Sequence, residues 1–503
     1  MKKSYLMLAA AAALFAACSN DDGVAEAQKA EQQVAAGEVP VGFDTYVNRS
    51  TTRAGIVGET TLAKIKAENA GFGVFAYYTN ADNYDQSFTP NFMYNQHVKF
   101  ESDAYTYSPV KYWPNEFGSG AASEDADKIS FFAYAPYVSV NPASGKVNGT
   151  GTGSYHAQDN GDITKGIVGM KNNSATGDPM VKYISTFYTD QQVDLTWGTA
   201  SGENWTKKNT GTQTMTAGLP WLNVEHQYTT STSWSDAKKV NFNFRHALAS
   251  LNVTVDTKAN SKEAKGAEAN TKVFIRSVTF EGFDVKGALN LNNVAAEKAL
   301  WYNFDCLNEL NNGSEVTIQD GRKDGKEGVT AATKENAFIN PDLVQSGVFD
   351  PDTTTANKYP HGVRGTTANL FRTSVESSIA AGIPAEVTTP IYVIPNGDPL
   401  KVTIEYDVLT QDNNLAGTLN DGQTKGSVVK NVITRYITIG NSATGSVTKP
   451  ATDATTDGKG IILENGKKYT IKLHLGLNSV EFDAAVAAWA TGLTGGADLP
   501  HNN

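Results

Sequence analysis

Apolar and polar residues alternate along much of this chain with a period of two, the pattern of strands that bury one face. In the first such run, Val39, Val41, Phe43 and Val47 share one side, completed by Thr45, with Pro40, Gly42, Asp44 and Tyr46 opposite. The polar stretch VNRSTTRAG (47–55) follows, and a short helix is expected around 61–68, ended by Asn69 and Gly71. Beyond it strand patterns dominate. Residues 72–78 (FGVFAYY) and 129–137 (ISFFAYAPY) are apolar on both sides, as strands covered on both faces would be. Val240, Phe242, Phe244 and Leu248 keep one phase, whereas Leu251, Val253 and Val255 keep the opposite one, so a bulge or turn is expected near Ala249. Further strands are expected at 273–280, 391–394, 402–408 and 432–439. The cleanest alternation sets Tyr469, Ile471, Leu473, Leu475 and Leu477 against Thr470, Lys472, His474, Gly476 and Asn478. After a turn at Asn478 and Ser479, Val480, Phe482, Ala484, Val486 and Ala488 form a last one-faced strand.

Long Gly/Thr/Asn/Asp segments separate the strands, notably 139–181, 198–220, 305–380 and 440–459. Loops of that length are uncommon in a compact domain, so some should hold extra strands or form surface decoration. Helical crossovers are missing, which favours β-sandwiches over a parallel α/β sheet. A chain of 503 residues exceeds what one core usually fills. The expected fold is therefore all-β, two sandwich domains with long loops and little helix. The boundary is placed near 235–240, giving domains over 54–238 and 239–503.

The N-terminus changes the picture. Lys2 and Lys3 precede a short apolar run from Tyr5 to Ala17, too short to span a bilayer as a helix. Residues 1–17 read as a secretory leader. It ends in Leu14-Phe15-Ala16-Ala17 before Cys18, so Cys18 is expected to become the first mature residue and carry a lipid; an ordinary leader with a chance cysteine is the alternative. Residues 23–37 read as a flexible tether, so 18–53 holds the lipid site, the tether and the first strand. Cys306 is the only other cysteine, which leaves no intramolecular disulfide once Cys18 is lipidated. Stability must then come from strand pairing and burial. Net charge is -11 with no basic stripe, which argues against nucleic acid as a partner.

The residues offer little chemistry. Seven histidines are scattered, none at metal-ligand spacing, and no HExxH, CxxC, P-loop or GxSxG is present, so no metal, cofactor or catalytic residue is assigned. His246 is read as a core histidine and His474 as solvent-facing. The carboxylate pairs Asp125/Asp127 and Asp350/Asp352 read as turn residues, although a glycosidase needs only spatial proximity of its carboxylates. For Tyr105, Tyr107, Tyr112 and Trp113, core and turn packing is preferred to a sugar-stacking platform.

Several stretches resemble the fimbrillin-like family of Bacteroides-type lipoproteins, the subunits of type V pili. They are the lipobox at Cys18, VGFDTYV followed by TTRAG, GFGVFAYYT (71–79), YSPVKYWPN (107–115), DKISFFAYAPY (127–137), FRHALASLNVTV (244–255) and ENGKKYTIKLHLGLNSVEFDAAVAAW (464–489). Ser19-Asn20-Asp21-Asp22 likewise resembles the surface-export signal of such lipoproteins. The resemblance implies two transthyretin-like Greek-key sandwiches on a lipoprotein of the outer membrane surface, held through the Cys18 lipid. It also implies that an arginine-specific (gingipain-like) or trypsin-like protease removes the N-terminal strand, cutting after Arg53 or, second, Arg49. The strand carrying Val39, Val41, Phe43 and Val47 would leave. A neighbouring subunit's C-terminal strand, here 480–488, would fill the groove and extend a head-to-tail fibre. A non-polymerising surface lipoprotein binding glycan or host protein through its loops is the alternative.

Overall fold

The computed structural model describes residues 40–47, 59–67, 70–80, 82–113, 128–148, 166–185, 193–200, 204–207, 211–214, 220–225, 239–257, 271–292, 298–303, 315–317, 343, 363, 367–371, 390–412, 414–415, 426–438, 460–477 and 480–488. The protein is all-β. Its described helix is a single turn, Leu62–Ile65, where the Thr61 hydroxyl accepts the Lys64 amide and Ile65 is buried.

The first sheet has eight strands. Phe43–Val47, Val240–His246, Thr196–Ala200, Lys128–Ala135, Phe72–Asn80, Met93–Glu101 and Ala104–Thr106 follow one another across it, and Trp221–Glu225 also pairs Lys128–Ala135. The strands apolar on both sides lie at its centre, and a separate core covers each face. Phe72, Val74, Ala76, Ile129, Phe131 and Ala133 enter one core. Phe75, Tyr77, Phe132 and Tyr134 enter the other.

A six-stranded sheet runs through Phe283–Asp284, Ile391–Pro395, Ala249–Thr257, Lys467–Leu475 and Val480–Ala488, with Ala368–Asn369 also pairing Ala249–Thr257. A four-stranded sheet of Glu315–Thr317, Thr271–Glu281, Lys401–Gln411 and Gly426–Tyr436 shares a core with it, built from residues such as Val253, Ile275, Ile404 and Ile471. A second four-stranded sheet orders Leu300–Tyr302, Lys286–Asn290, Met180–Ile184 and Ile167–Met170. Strands from early and late in the chain therefore share that sheet. Its core continues the second face of the eight-stranded sheet and adds Leu248, Leu289, Tyr392 and Ile394.

The phase slip near Ala249 comes from a bend at Leu248, the turn of the two expected alternatives, at which the chain changes sheet. Val240–His246 ends in the eight-stranded sheet, Ala247 and Leu248 are buried in the middle core, and Ala249–Thr257 begins the six-stranded sheet. The strand from Val240 pairs within the first sheet, and the chain changes sheet between His246 and Ala249. Alternation records which face is buried and carries no information on which sheet buries it. The long polar segments hold short strands: Ile167–Met170, the hairpin of Asn204–Lys207 with Gly211–Thr214, and Glu315–Thr317.

Candidate strand-exchange site

The first strand is built to be seated from one side. Phe43–Val47 runs parallel to Val240–His246, with Phe43 opposite Val240, Thr45 opposite Phe242 and Val47 opposite Phe244. It stands at one end of the sheet order. Just before it, the Val41 amide donates to the Lys111 carbonyl (2.9 Å), Pro40 bridges Tyr112, and the Val240 amide donates to the Gly42 carbonyl (2.9 Å). Residues 40–42 are thus held on both sides.

The expected alternation is present. Val41 and Phe43 are 1% and 2% exposed and Thr45 is buried, while Asp44 faces solvent. The Phe43 ring meets Phe72, Tyr107 and Phe131 edge-on at 6.3, 5.4 and 6.0 Å between centroids, and stacks on Phe242 at 6.1 Å. Burying one such ring is worth about 1.5–3 kcal/mol, and each well-placed aromatic pair adds about 0.5–1.5 kcal/mol. Without the strand, those four rings would line an open apolar groove.

Two hydroxyls fix the strand against the far wall. Tyr107 donates to the Val41 carbonyl (2.8 Å), also approaches the Lys111 carbonyl (3.1 Å) and accepts the Lys111 amide (3.3 Å). Burial of its ring raises its pKa well above the ordinary tyrosine value, so the hydroxyl stays protonated as a donor. Tyr105 is hydrogen-bonded to Thr45 through the two hydroxyls. Trp113 is buried against Phe131, centroids 5.8 Å apart, and Tyr105 packs on Phe72 at 5.5 Å. Packing is therefore the role of Tyr105, Tyr107 and Trp113, site residues that sequence reasoning did not assign to the groove. Gly198 completes the wall: a Cβ there would lie 2.8 Å from Phe242 Cδ1 and 3.0 Å from Ala133 Cβ.

The terminal strand has a seat of its own. Val480–Ala488 pairs antiparallel with Lys467–Leu475 at one end of the six-stranded sheet, from Val480 opposite Leu475 to Ala488 opposite Lys467. Val480, Phe482 and Ala484 are buried and Val486 packs partly buried against the same core. The structure gathers Val41 and Phe43 in one groove and leaves the terminal strand in another sheet. Cys18, Val39, Arg49 and Arg53 lie outside the described residues, as do the side chains of Val47 and Ala488.

Two histidines are hydrogen-bonded to aspartates. His246 is buried, as expected, with Nδ1 2.6 Å from Asp194 Oδ2. Asp194 also accepts the Thr60 amide (3.1 Å), and burial raises its pKa against the opposing pull of His246 and that amide. Nearby in sequence to Thr60, the buried Glu59 lies 3.5 Å from Lys468 Nζ. His474 is half-buried and pairs with Asp256 (2.6 Å), which also meets Lys472 at 2.8 Å; the strand's polar side is a charged contact, not simply a solvent face. Among the described residues no group of three or more His, Cys, Asp or Glu could hold a metal ion, and no helix is long and apolar enough to cross a membrane.

These features define an all-β protein with a one-sided edge strand seated in an aromatic groove. No protein-family model matches the sequence. The chain is similar to the fimbrium subunit Fim1C of Phocaeicola vulgatus, 41% identical over 102 residues, which make up 20% of this chain and 23% of that protein. The match thus spans about a quarter of the curated relative's length. Among solved structures, a fimbrial protein from Bacteroides vulgatus aligns over 90% of this chain and 99% of its own at 18% identity, with a TM-score of 0.43. The tip fimbrial protein Mfa3 from Porphyromonas gingivalis aligns over 85% and 96% at 10% identity, with a TM-score of 0.24.

Proposed function

We propose that this chain is a structural subunit of a cell-surface fimbria of the type V kind, serving in adhesion. It is exported as a lipoprotein precursor and anchored in the outer membrane through Cys18. An arginine-specific or trypsin-like protease cuts it after Arg53, or after Arg49. The strand carrying Val39, Val41, Phe43 and Val47 then leaves, and the strand Val480–Ala488 of a neighbouring subunit enters the groove. The observation that carries this reading is the seat of Phe43. An end strand paired on one side over Phe43–Val47, with Phe43 among four aromatic partners, would leave behind an apolar groove that an incoming strand can cover. The similarity to a fimbrium subunit supports the same reading. Burial of Trp113 against Phe131 favours packing over sugar stacking for that ring.

Limited digestion of purified precursor by an arginine-specific protease tests the proposal. An N-terminus at Ala54 or Ser50, followed by an SDS-resistant ladder of oligomers, is the expected result. Digested protein that remains monomeric at high concentration would overturn it.

A further inference from the structure

The first and last described strands carry heptapeptides that agree at four of seven positions. Residues 41–47 read VGFDTYV and residues 480–486 read VEFDAAV, identical at Val41/Val480, Phe43/Phe482, Asp44/Asp483 and Val47/Val486. Both bury the same face, Val41, Phe43 and Thr45 in one and Val480, Phe482 and Ala484 in the other. Yet they occupy different places in the topology. One runs parallel to its neighbour and the other antiparallel, so the likeness is not a by-product of a repeated fold.

We propose that the terminal strand of a second copy is a sequence mimic of residues 41–47 and enters the groove in their register, with Phe482 in the seat of Phe43 and Glu481 beside Lys239. The inference rests on the strand exchange proposed above and fixes its register and its selectivity. In that register Phe482 meets Phe72, Tyr107, Phe131 and Phe242, the partners of Phe43. Period-two alternation allows only shifts by an even number of residues without turning the polar face inward, and a shift of two would take the phenylalanine out of its seat.

The position of Gly42 adds a contact that the released strand lacks. A Cβ there would lie 3.2 Å from Lys239 Cγ and 3.9 Å from its Cδ, so a longer side chain would run beside that lysine. Lys239 is exposed and its flexible chain can shift to admit a neighbour. Glu481 brings a carboxylate to this place. Ala484, in turn, lacks the Thr45 hydroxyl that bonds Tyr105. Leaving its own sheet also uncovers the Lys467–Leu475 edge, which the aromatic seat and the new ion pair must offset. An invader so closely matched to the resident strand does not displace it while the resident is tethered at high effective concentration. Severing the tether removes that advantage, which explains why a cut should gate assembly.

Cysteine pairs read the register directly. With Cys18 and Cys306 replaced by serine, Asp44→Cys and Asn241→Cys in one precursor calibrate the pairing, since those residues stand opposite each other. Protein carrying Asn241→Cys is then mixed with protein carrying Glu481→Cys, Asp483→Cys or Ala485→Cys and digested with the arginine-specific protease. Disulfide-linked dimers from the 483 variant alone are expected. Coupling through 481 or 485 instead overturns the register while leaving strand exchange standing. Oligomers in which none of the three couples show that another segment fills the groove, and also overturn the inference. If no oligomers form, the exchange itself falls, and this inference with it. Independently, Lys239→Glu should slow assembly, and Glu481→Lys in the donor should restore it; equal rates throughout would overturn the proposed pairing of Glu481 with Lys239.

Discussion

The ring of Phe43 lies almost parallel to that of Phe242, its planes 14° apart, although 198 intervening residues separate the two in sequence. Phe43→Ala should cost the intact precursor about 3–5 kcal/mol, as other deletions of buried phenylalanine do. Once the strand has been cut away, the same variant should unfold like the processed wild type, because the altered residue has left. Phe242→Ala should destabilise both forms. Denaturant unfolding before and after digestion checks this.

Gly198→Ala introduces a methyl group 2.8 Å from Phe242 Cδ1 and 3.0 Å from Ala133 Cβ. Overpacking of this kind costs about 1–3 kcal/mol. Because Phe242 forms the floor of the groove, the loss should be accompanied by faster amide hydrogen exchange across Phe43–Val47. Exchange measured by mass spectrometry decides; unchanged protection of that strand would mean that Phe242 has not moved.

Tyr107→Phe keeps the ring against Phe43 and deletes the hydroxyl that serves the Val41 carbonyl and the Lys111 amide. Leaving such groups unsatisfied costs about 1–3 kcal/mol. The effect should appear as a lower unfolding midpoint in the precursor, with greater protease sensitivity ahead of Phe43.

Asp194 gives the fold a dependence on pH. Burial raises its pKa above the ordinary 3.8, with the Glu59 charge adding to the rise and His246 and the Thr60 amide opposing it. The folded state therefore holds this proton more tightly than the unfolded chain. That contribution to stability is complete below pH 3.8 and is lost as pH climbs through the raised value. Relative to Asp194→Asn, which does not titrate, wild type should lose stability as the pH is raised through that range. Parallel unfolding curves for both proteins across pH check the sign.

Local pattern disclosed the strands well and their partners poorly. The one-faced run at 41–45 buries the residues it should, and the two-sided runs at 72–78 and 129–137 are central because a core lies on each face. The parallel pairing of Phe43–Val47 with Val240–His246 joins segments far apart in the chain, and alternation carries no signal of partner or direction. Nor does alternation signal that the chain changes sheets at Ala247 and Leu248, which stay buried in the middle core. Within the site, Phe43 could be picked out from phase alone. Tyr105 and Tyr107 could not, because their hydroxyls matter only once residues 40–47 lie across them.

The sheet that sets Met180–Ile184 beside Lys286–Asn290 has a mechanical consequence. It joins strands from before and after the change of sheet, so a pull across Ala247 and Leu248 meets paired strands on both sides. If subunits join by the strand exchange proposed above, tension along the fibre would be borne at the exchanged strands. A strand lying parallel to its partner and drawn along its own axis loads all its backbone bonds in shear together, where a peeled edge would break them one after another.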